Sequence, residues 1–322
     1  MSSPIADLSY RNYDGPLNPP SLRWWVIARA MMTLSLKRKV LWLFVALSGW
    51  YYVGMIFVLF IFDQFVSTSG PSFPGAPNPA KAFFDRIIWK DQFLHGFSFG
   101  QMMFMAILLT IGAGSIANDN RANALLVYLS KPTSKMDYVM GKWFGVFLPL
   151  LLISSVPALV FFLYGALSYG SYGFLTSDPW MLVKILIALP ITAAIQASLI
   201  IGVSSMFSQG RLAGAAYAGV YFVSNFFTQL MKVVWFTGAK GGNSGQGGNT
   251  VSNLFYASLD GINIGIFKAI LGTDGSTPFG LPSNAPSIPR PALVPVLMAG
   301  IGLSVISLFI AWTRVRAVEV VG

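Results

Sequence analysis

The segment Met181-LVKILIALPITAAIQASLIIGVSS-Met206 decides the fold class, because it is a long apolar run whose single charge, Lys184, lies near its start. A helix needs about 20 such residues to cross about 30 Å of hydrocarbon. The chain has no segments that alternate polar and apolar residues with the period of two typical of membrane β-barrel strands. The segment is therefore predicted to be a transmembrane helix.

Five further stretches share this character, and the composition of the chain agrees with them. Of the 322 residues, 55% are hydrophobic and only 10% are charged, whereas soluble domains have about a quarter charged. We therefore predict an all-α membrane protein with a six-span transmembrane domain over residues 40–313. The predicted spans are Val40–Phe62, Phe93–Ile116, Trp143–Leu167, Met181–Met206, Ala213–Phe236 and Ala292–Thr313.

The distribution of basic residues predicts the orientation. Six spans with both termini in the cytoplasm place most of the 21 lysines and arginines on the cytoplasmic side. Residues 1–20 and 314–322 are then cytoplasmic tails, and the proline-rich first tail lacks the apolar core of a signal peptide. The net charge of +10 thus reflects topology, and we expect no nucleic-acid partner.

The segments between spans also carry patterns. Residues 21–39 are predicted to form an interfacial helix, although a simple basic flank explains their composition equally well. The outer loop 63–92 contains Lys81–Asp91, predicted to be an amphipathic helix on the outer leaflet. The outer loop 237–291 contains a glycine-rich linker and then Thr250–Leu271, in which Asp260 and Lys268 make a full span costly. We expect a re-entrant or surface helical pair there.

Several kinds of chemistry are excluded by residue content. The chain has no cysteine and one histidine, His95, so thiol nucleophiles, disulfides and histidine-rich metal sites are not available. The glycine-rich stretch 242–249 lacks the lysine of a phosphate loop. We therefore expect no enzyme activity, no metal site and no cofactor bound by this chain.

The cytoplasmic segment 117–142 is the most distinctive part of the sequence. It is predicted to contain a short helix, Asn120–Leu129, a turn at Ser130-Lys131-Pro132, and a second helix that starts at Thr133 or Ser134. Leu125 and Leu129 form an apolar patch with a polar rim. Such a patch suits either a partner protein or the chain's own helices, and periodicity alone does not separate the two.

This segment resembles the signature region of the type-2 ABC transporter permeases, the membrane subunits of a family of exporters. In that family a charged cluster and a cytoplasmic helix precede a Leu-Ser-(Arg/Lys)-Pro turn, and Tyr-x-x-Gly-Lys follows. Many members have Glu and Gly-Thr where this chain has Asn118 and Asn123-Ala124. The matching positions are Asp119, Arg121, Leu125, Leu129, Ser130, Lys131, Pro132, Tyr138, Gly141 and Lys142.

The resemblance implies a mechanism and partners. Such a permease pairs with a second copy or a homologue in the bacterial plasma membrane, and separate ABC ATPase subunits bind ATP and magnesium beneath it. The segment would enter a cleft of the ATPase, with Arg211 in the turn 207–212 as a second contact. Substrate would move by alternating access, and a periplasmic protein could contact the outer loops. The alternative is a non-transporting membrane anchor or assembly subunit.

Polar side chains inside the spans are candidates for the translocation path between two permease copies. Hydrogen bonding within one bundle explains each of them at least as well. The spans carry no acidic residue near their middle, which argues against coupling to a proton or sodium gradient through a carboxylate. The candidates are Gln101, Gln196, Tyr221, Asn225, Thr228 and Gln229.

Overall fold

The structure is a computed structural model that describes residues 22–69, 83–84, 86–124, 134–240, 254–276 and 287–315. All regular structure within these ranges is helical. The helices are α1 (Arg23–Leu36), α2 (Lys39–Ser48), α3 (Trp50–Ser69), α4 (Trp89–Ile111), α5 (Ala117–Arg121), α6 (Lys135–Ser168), α7 (Met181–Ser205), α8 (Gly210–Lys240), α9 (Leu259–Leu271) and α10 (Leu293–Arg314).

Helix α7 lies at the centre of the bundle. Its most apolar window is 72% buried, against 17% for α10, and it contacts α4, α6, α8, α9 and α10. Since α7 is apolar on every side, only a position surrounded by other helices buries it fully. The segment that decides the fold class is therefore also the core of the fold.

Four helices, α4, α6, α7 and α10, are long and apolar enough to cross a membrane. Helices α2 and α3 make a fifth if the bent pair counts as one span. Helix α8 covers the predicted fifth span, but it is not among these helices, and one of its faces carries Tyr221, Ser224 and Thr228. Over the described residues, length and composition thus support four or five spans rather than six.

The first predicted span, Val40–Phe62, is divided between two helices. Helices α2 and α3 meet at Gly49 with a bend of 45°. A side chain at this position would lie 3.1 Å from Cγ of Pro157 on α6, so the proline ring packs directly against the bend. Helix α3 also continues beyond Phe62 to Ser69, and α4 begins at Trp89. Both changes shorten the outer loop predicted at 63–92.

The amphipathic helix predicted at Lys81–Asp91 is also corrected. Residues 86–88 are not helical, and α4 begins immediately after them. Phe84, Ile87 and Trp89 are buried, and the ring of Phe84 lies 4.8 Å from that of Tyr169. This apolar face packs on the bundle instead of on lipid, because aromatic side chains beyond the end of α6 offer it a closer partner.

Helix α1 forms in the predicted interfacial segment and packs along α6. Two glycines of α6 permit the close approach: a Cβ on Gly141 would lie 2.7 Å from the carbonyl oxygen of Trp24, and one on Gly145 would lie 2.7 Å from Sδ of Met31. The ring of Trp24 also lies 4.6 Å from that of Phe144. Gly141 and Gly145 therefore form the surface of α6 on which α1 packs, and we call this surface the seat of α1. Ser21, the first residue of the predicted segment, lies outside the described residues.

Candidate functional site: the cytoplasmic elbow

The chain forms a turn at residues 112–116, between α4 and α5, and we call this turn the elbow. Ser204, at the end of α7, hydrogen-bonds to it. Its hydroxyl donates to the carbonyl of Ala113 at 2.8 Å. The same oxygen accepts hydrogen bonds from the amides of Ile116 at 3.0 Å and Ala117 at 3.1 Å. Ser204 is fully buried, and amides at a helix start lack partners within the helix. One side chain thus satisfies three backbone groups and fixes where α5 begins.

Two asparagines join α5 to the turn between α7 and α8. The side-chain oxygen of Asn118 accepts a hydrogen bond from the amide of Gly210 at 3.1 Å, and Nδ2 of Asn120 donates to the carbonyl of Phe207 at 3.2 Å. A Cβ on Gly210 would lie 2.9 Å from the Asn118 oxygen and from Cα of Gly114. The two segments predicted to contact a partner ATPase are therefore bonded to each other.

An ion pair connects the same segment to α6. Nζ of Lys142 lies 2.7 Å from Oδ2 of Asp119, with side chains 9% and 20% exposed. The hydroxyl of Tyr138, which is fully buried, donates to the same carboxylate oxygen at 2.8 Å. Burial strengthens charge-assisted hydrogen bonds of this kind. The structure thus brings together three of the residues that carry the family resemblance.

The start of α6 follows the sequence prediction. Ser134 is the N-cap, its hydroxyl accepts from the amide of Asp137 at 3.0 Å, and the Asp137 carboxylate accepts from the amide of Ser134 at 3.0 Å. The helix predicted at Asn120–Leu129 is wrong at its start, because α5 runs from Ala117 to Arg121 and Asn123 has a φ of +50°. Asparagine tolerates that left-handed conformation, which interrupts a helix. Leu125, Leu129, Ser130, Lys131 and Pro132 lie outside the described residues.

Beside the elbow lies an open cleft of about 990 Å³ between α1, the C-terminal end of α4 and the start of α8. Arg38, Arg121 and Arg211 line it together with the Asp119–Lys142 pair. Arg38 donates to the carbonyl of Thr110, whereas the side chains of Arg121 and Arg211 are exposed. The cleft is therefore predominantly basic, and it suits an acidic partner surface.

The candidate path residues make hydrogen bonds within the chain. Gln196 donates to Gln101 at 3.0 Å, Tyr221 donates to the carboxylate of Asp260 at 2.8 Å, and Thr228 bonds Ser258. Asn225 hydrogen-bonds Tyr221, while Gln229 is exposed. One face of α8 thus holds the start of α9. Asp260, an acidic residue, therefore lies beside the middle of α8.

Sequence reasoning missed the roles of three residues on which these arrangements depend: Ser204, Asn120 and Asp260. The sequence of an apolar helix does not indicate which neighbouring segment a single serine will contact. The role of Ser204 at the elbow was therefore not predictable. The Asn-Asp-Asn run at Asn118–Asn120 was a usable signal, since amide side chains often bond nearby backbone at turns. Asp260 was noticed only because burying its charge within a membrane span would be energetically unfavourable.

Comparison with known proteins agrees with this arrangement. The sequence model of a family described as ABC-2 family transporter protein matches residues 25–263, which extend from the start of α1 into α9. No curated protein matches the chain. The family match covers well over half of the chain and includes every residue of the elbow. The chain is therefore a multi-pass membrane protein that belongs to the ABC-2 family of transporter proteins.

Proposed function

We propose that this chain is the permease subunit of an ATP-driven exporter and that the elbow couples it to separate ABC ATPase subunits. The observation that carries the proposal is the pairing of Asp119 with Lys142 and Tyr138. This cluster fastens the cytoplasmic segment to α6, while Ser204 fastens it to α7. Force applied to the segment would therefore move long helices as rigid bodies.

The membrane arrangement is part of the same proposal. Helix α8 also crosses the membrane, as the fifth of six spans, both termini are cytoplasmic, and the membrane is the bacterial plasma membrane. Support comes from apolar side chains on α8 that lie outside the chain's own core, such as Val223 and Phe226, which are 71% and 66% exposed. Lipid and a second permease copy or a homologue would cover this face, and substrate would move between the two copies by alternating access.

The ATPase would contact the basic cleft and the apolar patch of Leu125 and Leu129. ATP and magnesium would bind only to that partner, and nucleotide would act on the permease only by favouring one of its states. A periplasmic protein at the outer loops would be a further partner. Arg121 and Arg211 are exposed beside the elbow, which makes them the charged groups best placed to meet acidic residues of an ATPase.

The proposal is tested by purifying the tagged chain from native membranes and identifying bound proteins that contain a phosphate-loop ATPase sequence. Leu125→Asp with Leu129→Asp should abolish recovery of the ATPase, and Arg121→Glu with Arg211→Glu should lower it at least several-fold. Leu175→Asp, an exposed residue beyond the far end of α6, is the matched control. Full recovery of the ATPase with both double variants would contradict docking at the elbow. Failure to find any ATPase with the wild-type chain would favour a membrane anchor.

A further inference from the structure

A second cluster of polar groups lies between α4, α7 and the first turns of α9. Gln101, Gln196 and Asn263 are only 3%, 5% and 2% exposed. Gln196 Nε2 donates to Gln101 Oε1 at 3.0 Å, and Asn263 Nδ2 donates to the carbonyl of Leu259 at 3.1 Å. Among the residues that the structure describes, Gln101 Nε2, Gln196 Oε1 and Asn263 Oδ1 have no hydrogen-bond partner.

Rotating the amides does not remove this deficit. Exchanging oxygen and nitrogen in both glutamines reverses the bond between them, but one N–H and one oxygen again remain unpaired. Leaving a buried polar group without a partner is unfavourable, because the group has lost its hydrogen bonds to water. Buried polar groups in proteins are almost always paired, and internal water is a common partner.

The same three side chains line one small cavity of about 10 Å³, together with Met105, Tyr221 and Asp260. A cavity of about one water-sized probe sphere is the smallest that holds a water molecule, which needs two to four polar partners. The geometry thus provides the volume for one small molecule at the point where three buried polar side chains meet.

We propose that this cavity binds one water molecule, which accepts a hydrogen bond from Gln101 Nε2 and donates to Gln196 Oε1 and Asn263 Oδ1. The set of unpaired atoms selects water, because it contains one donor and two acceptors. A bare sodium or potassium ion would satisfy the two oxygens but would face the N–H group of Gln101. An ammonium ion would donate to the oxygens and could not accept from that group.

The water connects α9 to the α4–α7 pair. On its other side, α9 is held by direct bonds to α8: the carboxylate of Asp260 accepts from Tyr221 at 2.8 Å, and the amide of Leu259 donates to Ser224 at 2.7 Å. Bridging water is nearly as favourable in enthalpy as a direct bond. The start of α9 is thus joined to the bundle by direct bonds on one side and by a water bridge on the other.

Radiolytic labelling of the full chain in lipid nanodiscs tests this site. A short X-ray pulse makes hydroxyl radicals from water, and these radicals oxidise side chains beside trapped water molecules. Met105 lines the cavity, whereas Met55 is buried elsewhere in the bundle. We expect oxidation of Met105 to be at least several-fold faster than that of Met55. When the pulse follows soon after dilution into ¹⁸O-labelled water, the added oxygen at Met105 should still be ¹⁶O. If Met105 and Met55 were oxidised at the same background rate, the proposal would be overturned.

Asn263→Leu provides a second measurement, because leucine has a similar volume and removes the acceptor. Oxidation of Met105 should fall to the level of Met55 in this variant. It should be unchanged in the control Ser304→Ala, whose hydroxyl bonds only the carbonyl of Gly300 in its own helix. If Asn263→Leu does not fold, the wild-type comparison of Met105 with Met55 still decides the matter.

Thermal unfolding distinguishes water from a cation. The midpoint of the wild-type chain should be the same in sodium, potassium and choline chloride at equal ionic strength. A midpoint raised specifically by sodium or potassium would mean that a cation occupies the cavity, and the proposal would be wrong.

Discussion

The ammonium group of Lys142 lies 2.7 Å from the carboxylate of Asp119, and this pair joins the cytoplasmic segment after α4 to the second turn of α6. Both side chains are mostly buried, and the hydroxyl of Tyr138 completes the cluster. Removing one partner of such a pair leaves the other charge poorly solvated, so each residue depends on the other.

A double-mutant cycle measures this dependence. Asp119→Asn and Lys142→Met should each lower the thermal unfolding midpoint, and the double variant should lose less than the sum of the two. We expect a coupling free energy of about 0.5–3 kcal/mol, as for residues in direct contact. Additive losses would mean that the two side chains do not interact. The same variants, assayed with an associated ATPase, should reduce substrate-dependent ATP hydrolysis.

Removing the hydroxyl of Ser204 should loosen the elbow. Ser204→Ala leaves the buried amides of Ile116 and Ala117 without an acceptor, at a cost of about 1–3 kcal/mol for an unsatisfied group. Hydrogen exchange of these two amides should accelerate on the order of tenfold. The control is Ser205→Ala, since that hydroxyl bonds only Gly202 of its own helix at 2.7 Å. Unchanged exchange in Ser204→Ala would contradict the role of Ser204 at the elbow.

The seat of α1 should not tolerate a methyl group. In Gly141→Ala the new Cβ would meet the backbone oxygen of Trp24 at 2.7 Å, and overpacking of this kind typically costs about 1–3 kcal/mol. Gly302→Ala is the matched control on α10, where a Cβ has no neighbour within 4 Å among the described residues and alanine favours the helix by about 0.5–1 kcal/mol. The unfolding midpoint should thus fall in the first variant and not in the second. Equal midpoints would show that α1 does not pack closely at Gly141.

Single-cysteine labelling tests the orientation, and the chain has no native cysteine to interfere. Lys135→Cys at the start of α6 should react with a membrane-impermeant maleimide only after the cells are opened. Thr176→Cys, beyond the other end of α6, should react in intact cells. Labelling of residue 135 from outside would place the elbow on the wrong face and would overturn the proposed coupling.

Features that depend on residues close together in one helix were predicted better than features that depend on packing against another helix. The start of α6 was predicted at Thr133 or Ser134, and the cap at Ser134 depends on Asp137, which lies only three residues away. Gly141 and Gly145 of α6 have a spacing typical of close helix packing, but the sequence does not identify α1 as their partner, because a helix sequence specifies a face and not what covers it. The bend at Gly49 was not predicted either, although Ser-Gly pairs are places where helices bend, and its packing partner, Pro157, lies on another helix.

The cytoplasmic site shows the same division. Asp119, Tyr138 and Lys142 were identified through a motif, and the structure brings them into contact. Ser204 lies far from them in sequence and belongs to no pattern. Asn118, where the chain departs from the family, bonds the amide of Gly210. That departure therefore corresponds to a contact between residues 92 positions apart, which the sequence by itself does not locate.

Gly141 and Lys142 are neighbours on α6, so the helix that carries the ion pair also carries the seat of α1. A tilt of α6 would move α1 with it. At its predicted position in the membrane interface, α1 would then have to displace phospholipid headgroups. The viscosity and the lipid packing of the inner leaflet would then slow the movement of α1 and α6. The rate of the working cycle should consequently vary with lipid composition, even when nucleotide and substrate are saturating.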